Sequence, residues 1–254
     1  MGQKVVIKTG RAVELMRKAG QAAARVREQL IPLAVPGIST GELDRLAAEK
    51  IHETGGKSAF LGYNGFPGQI CISVNEEIVH GIGGTRKLLY GDVLKLDIGV
   101  NLDGYIGDTA VSVAIGVVDS GIAKLMQVTK AALAAGIEQA RSGNTVGHIG
   151  YAVEQVVIEA GFTVVRDLVG HGVGAQLHEA PQIPNYGKPG YGEKLKPGMT
   201  LAIEPMVNMG TCKFKILSDQ WTVVTLDGKP SCHDEHTVLV TKGDPEILTC
   251  RLAM

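Results

Sequence analysis

Two aspartates interrupt an apolar stretch. In "LKLDIGVNLDGYIGDTAVSV", residues 95–114, Asp97 and Asp108 stand where a half-buried hairpin calls for apolar or small side chains. The Asn101-Leu102-Asp103-Gly104 stretch between the two β-rich runs is a turn signal, Asp-Gly being a favoured two-residue hairpin turn. With an even-length loop, opposing residues carry numbers of odd sum, and Asp97 and Asp108 meet that condition. They therefore share one face, directly opposite or diagonal. Two carboxylates that close, in apolar company, raise each other's pKa and destabilise the fold unless a cation sits between them. Within the strands only Lys95 is available, and alternation puts it on the face of Asp97. A divalent metal is the other candidate.

Three more side chains of the same chemical kind follow. "VGHGVGAQLHEAP" carries His171 among glycines and His178 beyond them, Glu204 lies in "TLAIEPMV", and Glu235 opens "DEHTVLVT". Glycines beside a histidine let the backbone approach a site closely and fix the ring. Each residue alone has an ordinary explanation: a structural loop histidine, a solvated strand-end glutamate, aspartates bonded to backbone amides. Together, five oxygen or nitrogen donors on apolar strands are hard to bury without metal.

The elements that must position them are legible as periodicity. Val13, Met16, Ala19, Ala23, Val26 and Leu30 form a helical stripe from about Thr9 to Leu30, stopped by Pro32. Ser39 to Glu42 reads as a capping box for a second helix that ends at Gly55-Gly56. A strand from Ile70 to Val74 precedes the aspartate hairpin. Helical spacing returns from Leu125 to Ala140 and from Thr145 to Ala160, and further strands follow. The order repeats: "GISTGEL" from Gly37 and "GNTVGHI" from Gly143 match at four positions with an offset of 106, which carries Asp97 to the neighbour of Glu204. The expectation is one catalytic domain over 1–254, made of two α/β halves (roughly 9–118 and 119–249) facing each other, with acids from both meeting in the middle.

Composition excludes little but points one way. The chain has 254 residues and a formal net charge of −1 with interspersed signs, which argues against a dedicated nucleic-acid or membrane-surface binder. Cys71, Cys212, Cys232 and Cys250 show no CxxC spacing, so a reduced, cytoplasmic setting is expected. No signal-peptide core and no membrane-spanning stretch is found.

The motifs "CISVNEEIVHGI", "LKLDIGV", "GYIGDTAVSV", "VGHGVG", "LHEAPQIPNYG", "LAIEPM" and "DEHTVLVT" follow in the order and spacing of type I methionine aminopeptidases, which the chain resembles from about Ile7 to Thr249. The resemblance implies the pita-bread α/β fold, two pseudo-twofold halves around a central antiparallel sheet. It implies a dinuclear site in which Asp108 and Glu235 bridge two divalent ions (cobalt, manganese, iron or zinc), Asp97 grips one, and His171 and Glu204 hold the other. Paired ions of this kind turn a bridging water into a hydroxide that attacks a peptide carbonyl. Glu204 is the implied proton carrier, His178 the group that stabilises the developing oxyanion, and His80 the contact to the scissile amide. Read from the sequence alone, His80 is better explained as a surface histidine beside Gly81.

By the same resemblance, Tyr63, Phe66, Cys71, Leu177 and Trp221 line an apolar pocket for a methionine side chain, although periodicity alone reads them equally as core. Leu177 stands where the family commonly has an aromatic residue, Phe66 where it often has tyrosine, and Gly83 where proline is frequent; these departures bear on pocket shape and loop rigidity. The implied activity is removal of N-terminal methionine from nascent proteins when the second residue is small, by a cytoplasmic monomer in transient contact with ribosomes. Met1-Gly2 would make the chain a substrate of its own kind. The alternatives are another pita-bread aminopeptidase or a prolidase-like enzyme, which usually carries an extra N-terminal domain, and a non-catalytic binding scaffold, which typically lacks the ligands. The absence of an N-terminal extension and of a long insertion in the second half points to a bacterial-type form.

Overall fold

The computed structural model describes residues 4–250; Met1 and Gly2, the expected self-substrate, lie outside them. The first half contains α1 (Arg11–Leu30) and α2 (Thr40–Glu53), followed by β1 (Lys57–Ser58), β2 (Cys71–Val74), β3 (Glu77–Val79), β4 (Val93–Leu102) and β5 (Tyr105–Ala114). The second half contains α3 (Ser120–Glu138) and α4 (Val146–Glu159), then β6 (Thr163–Val164), β7 (Val169–Gly172), β8 (Glu179–Pro184), β9 (Thr200–Ile203) and β10 (Met206–Asn208). It closes with β11 (Phe214–Ile216), β12 (Val223–Thr225), β13 (Ser231–His233), β14 (His236–Leu239) and β15 (Glu246–Ile247).

The helices form where the apolar stripes are. Met16, Ala19, Ala23, Val26 and Leu30 are fully buried along α1, and Pro32 sits in a short 3-10 turn that ends it. Helix α3 begins at Ser120, earlier than Leu125, because Asp119 caps it: its Oδ1 accepts from Gly121 N at 2.7 Å. The repeat is visible in backbone detail. Thr40–Glu53 recurs 106 residues later as Val146–Glu159. Ser39 Oγ accepts from Glu42 N at 3.2 Å, and Thr145 forms the corresponding cap with His148. Gly37 N donates to Leu88 O at 2.8 Å, and Gly143 N to Leu195 O at 3.1 Å.

Two antiparallel sheets carry the chemistry. In the first, β4 pairs with β5 along one edge and with β1 and β2 along the other. In the second the order is β15-β14-β9-β7-β8. Leu94, Leu96, Ile98 and Val100 of β4 pack with α1 and α2 in one core cluster. Strand alternation then sends Lys95 and Asp97 to the opposite face, together with Asp108 and Ala110 of β5. The sheets join along the free edge of β5. Glu235 N donates to Ala110 O at 3.0 Å, Ala110 N donates to Glu235 O at 3.3 Å, and Thr237 Oγ1 both accepts from Asp108 N (3.1 Å) and donates to Asp108 O (2.8 Å). Among the described residues no helix is long and apolar enough to cross a membrane.

Candidate metal centre

Asp103 and Gly104 form a two-residue turn with positive φ at both positions, so β4 and β5 keep an even loop. The register sets Asp97 opposite Ala110 and Asp108 opposite Gly99, which makes the aspartates diagonal neighbours on one face. Lys95 does not come between them. Its ammonium is buried and donates to the Asn75 carbonyl at 2.8 Å, and burial pulls its pKa down to about 8.

The second sheet delivers the remaining donors to the same place. A register shift in β7 falls between His171 and Gly172, a bulge that re-aims the side chain. Glycine is needed on both sides of it: a Cβ on Gly170 would lie 2.4 Å from Ala202 O, and one on Gly172 would lie 2.3 Å from Ala180 O. His171 Nδ1 donates to Gly172 O at 2.9 Å, which leaves Nε2 as the lone-pair nitrogen. That nitrogen is 3.4 Å from Glu204 Oε1 and 3.8 Å from Asp108 Oδ2. Glu204 follows β9 directly, and Asn185 Nδ2 donates to its backbone carbonyl at 3.0 Å. Asp108, His171 and Glu235 each offer a ligand atom, and these atoms lie within 4.8 Å of one another.

Such a cluster is unstable as a set of charges, and the Arg27 charge near Glu235 does not outweigh burial and carboxylate repulsion. Burial, with the neighbouring carboxylates adding to it, pushes Asp97 up to about 7 and Asp108 and Glu235 well above the usual carboxylate range. Burial pushes Glu204 up to about 8 and pulls His171 down to about 3. Asp97 Oδ1, Asp108 Oδ1 and Glu235 Oε1 are buried without a hydrogen-bond partner. Orphaned carboxylate oxygens in one cluster with a neutral imidazole lone pair match what a hard or borderline divalent cation takes as ligands. The residues present fit a metal.

The cluster lies at one side of a cavity of about 360 Å³. Tyr63, Phe66, Cys71, Leu177, His178 and Trp221 line its wall, with all five donors and His80 also facing it. Phe66 packs edge-on against Trp221 with ring centroids 5.1 Å apart. Tyr63 Oη lies 2.7 Å from His178 Nδ1, and the His178 ring sits edge-on to His171 at 4.3 Å. His80 is half-buried rather than a surface residue, and burial pulls its pKa down to about 4. Its φ of 59° is left-handed, a conformation that costs on the order of 1–3 kcal/mol for a non-glycine residue and that clusters at functional sites. The loop after it is pinned to the start of α2, where Gly84 N donates to Thr40 Oγ1 at 2.9 Å and Gly41 N donates to Gly84 O at 2.8 Å. Gly83 therefore does not leave that loop slack.

Residues 14–242 match the model of metallopeptidase family M24. The chain belongs to that family. Among similar M24 proteins, methionine aminopeptidase 1 of Bacillus subtilis is 49% identical over 245 residues, covering 96% of this chain and 99% of the relative. The crystal structure of methionine aminopeptidase from Rickettsia prowazekii superposes with a TM-score of 0.95 at 38% identity, covering 97% of this chain and 100% of that one. That from Thermotoga maritima gives 0.95 at 42% identity, covering 97% and 99%. The fold of this M24 chain is thus the pita-bread arrangement, and the chain stands among the methionine aminopeptidases of the family.

In this M24 chain the twelve side chains singled out from sequence gather at one cavity. Two kinds of residue escaped that reading. Phe60, Val79 and Met206 also line the wall, with nothing in their spacing to separate them from core. His233 is buried at the end of β13, with Nε2 3.6 Å from Glu204 Oε2. A signal for it exists: in extended chain, positions two apart share a face, so His233 points the way Glu235 does.

Proposed function

We propose that Asp97, Asp108, His171, Glu204 and Glu235 would together hold two divalent metal ions, and that the cavity beside them takes a methionine side chain. The chain is a metallo-aminopeptidase that hydrolyses N-terminal methionine from peptides and proteins. The observation that carries this is the contiguity of an orphaned carboxylate–imidazole cluster with an apolar, aromatic-walled cavity. Bound metal supplies Lewis acidity, both to a nucleophilic water and to the free amine that marks a chain terminus.

The protein's own groups do the rest. Glu204, pushed up to about 8 by burial, can accept and return a proton near neutral pH. Tyr63 holds His178 through Nδ1, which turns Nε2 toward developing negative charge on the scissile carbonyl oxygen. His80, held in its strained conformation on the cavity wall, contacts the scissile amide. Tyr63, Phe66, Cys71, Leu177 and Trp221 exclude water and suit an unbranched thioether, which adapts to an irregular apolar space and favours aromatic edges. We further propose a preference for small second residues, a choice of ion among cobalt, manganese, iron and zinc, and action on nascent polypeptides in the cytoplasm as a monomeric single catalytic domain in transient contact with ribosomes.

A peptide series Met-Xaa-Met-Ser, with Xaa running from glycine to leucine, tests the assignment with metal-stripped and metal-restored protein. Release of methionine should require metal and fall steeply as Xaa grows. Equal rates for glycine and leucine, or efficient cleavage of proline dipeptides instead, would overturn it.

A further inference from the structure

The geometry points to His233 as a positioning residue that donates a hydrogen bond from Nε2 to Glu204 and so fixes which carboxylate oxygen faces the metal. This rests on the metal-binding reading above. His233 is 1% exposed, and neither ring nitrogen has a hydrogen-bond partner. Its backbone cannot shift to relieve that. His233 N donates to Ser112 Oγ and Ser112 Oγ donates to His233 O, both at 3.0 Å, while β13 pairs with β10 so that His233 opposes Met206. Among the described residues the carboxylate within 4.0 Å of Nε2 is that of Glu204, whose Oε2 lies at 3.6 Å.

Glu204 therefore lies between two imidazoles that act differently. Its Oε1 is 3.4 Å from His171 Nε2, whose ring already donates through Nδ1 to Gly172. That nitrogen has a lone pair and needs a cation. Its Oε2 faces His233, whose ring has no donor commitment elsewhere. A proton on His233 Nε2 ties down Oε2 and leaves Oε1 beside His171, so that the metal is held by Oε1 and the His171 nitrogen together. Partners that orient a ligand in this way typically change metal affinity 10–100-fold when removed.

Cobalt(II) titration of the metal-stripped protein, followed by calorimetry and by the visible absorption of bound cobalt, separates the possibilities. His233→Leu should weaken one of the two cobalt events 10–100-fold and change the cobalt spectrum, while His233→Gln, which keeps a side-chain donor, should stay within about threefold of wild type. Circular dichroism of the metal-free variants checks that both fold; should His233→Leu fail to fold, His233→Asn serves as the shortened variant. Wild-type affinity and spectrum in a folded His233→Leu would overturn the proposal. So would an equal loss in His233→Gln and His233→Leu. A wild-type protein that binds no cobalt would instead overturn the metal reading itself.

Discussion

The Tyr63 hydroxyl lies 2.7 Å from Nδ1 of His178, so that Nε2 is the ring nitrogen left for the proposed bond to substrate. Only one tautomer lets the second nitrogen act as a donor toward a carbonyl oxygen, and a phenol donating to Nδ1 selects it. Tyr63→Phe keeps the ring in the pocket wall and removes that selection. We expect kcat to fall on the order of tenfold, with methionine binding nearly intact, since one neutral hydrogen bond is worth about 1 kcal/mol. A fall in kcat/KM caused wholly by KM would show that Tyr63 serves only the pocket.

His80 lines the cavity but is not one of the five proposed metal ligands. His80→Ala should bind metal like wild type and lose roughly 10²–10⁴ in kcat, with much less change in KM. His171→Ala should behave in the opposite way, losing metal affinity and recovering part of its activity at high metal concentration. Metal content after gel filtration, measured beside the kinetics, distinguishes the two; a metal-free His80→Ala would refute the division of labour.

Asp108 is buried, with Oδ1 lacking a hydrogen-bond partner and Oδ2 3.8 Å from His171 Nε2. Metal binds the folded site and not the unfolded chain, so divalent ions should raise the melting temperature of the wild type. Asp108→Asn should abolish both activity and most of that rise. An undiminished rise in the variant would place the stabilising ion at another site.

The same groups set the response of the metal-free protein to pH. Asp97 and Glu204 have folded pKa values raised to about 7 and about 8, so folding takes up protons there, and the stability they contribute in acid is lost as pH rises through those values. His80 and His171 are lowered to about 4 and about 3, so their contribution is complete above the ordinary histidine pKa and is lost as pH falls toward those values. Below about pH 6.5 the two trends oppose each other; above it the carboxylates dominate, opposed by buried Lys95, whose pKa is pulled down to about 8. Metal-free protein should therefore lose stability from about pH 6.5 to 8.5, and stabilisation by metal should grow over the same range. Denaturant melts at intervals of half a pH unit, with and without metal, measure this. A metal effect that shrank with rising pH would contradict it.

Much of this site was legible because it breaks a pattern. Asp97 and Asp108 interrupt strand alternation, and an even-length turn is enough to put them on one face. Whether they were opposite or diagonal depended on which two residues formed the turn, and Asp103-Gly104 settled it. The fate of Lys95 was not legible, because parity gives its face but not that the Asn75 carbonyl lies within reach. His233 was overlooked beside Glu235 because Cys-His-Asp reads as a polar connection, and only the packing of β13 against β5 and β10 buries it. The helix pairs were found from four matched letters, since cap and glycine positions depend on backbone geometry more than on packing.

The paired hydrogen bonds between Ala110 and Glu235 also bear on the order of events in folding. They join strands separated by more than a hundred residues, so this contact is entropically late compared with the hairpin that carries Asp97 and Asp108. Before the seam closes, neither half holds a complete ligand set; closing it brings together carboxylates that repel one another. A metal ion can reward that step only once it has happened, which puts the benefit on the native side of the folding barrier. Ions added during refolding would leave the rate of folding unchanged, while ions bound to the finished protein would slow its unfolding, making the metal a latch on the joined halves.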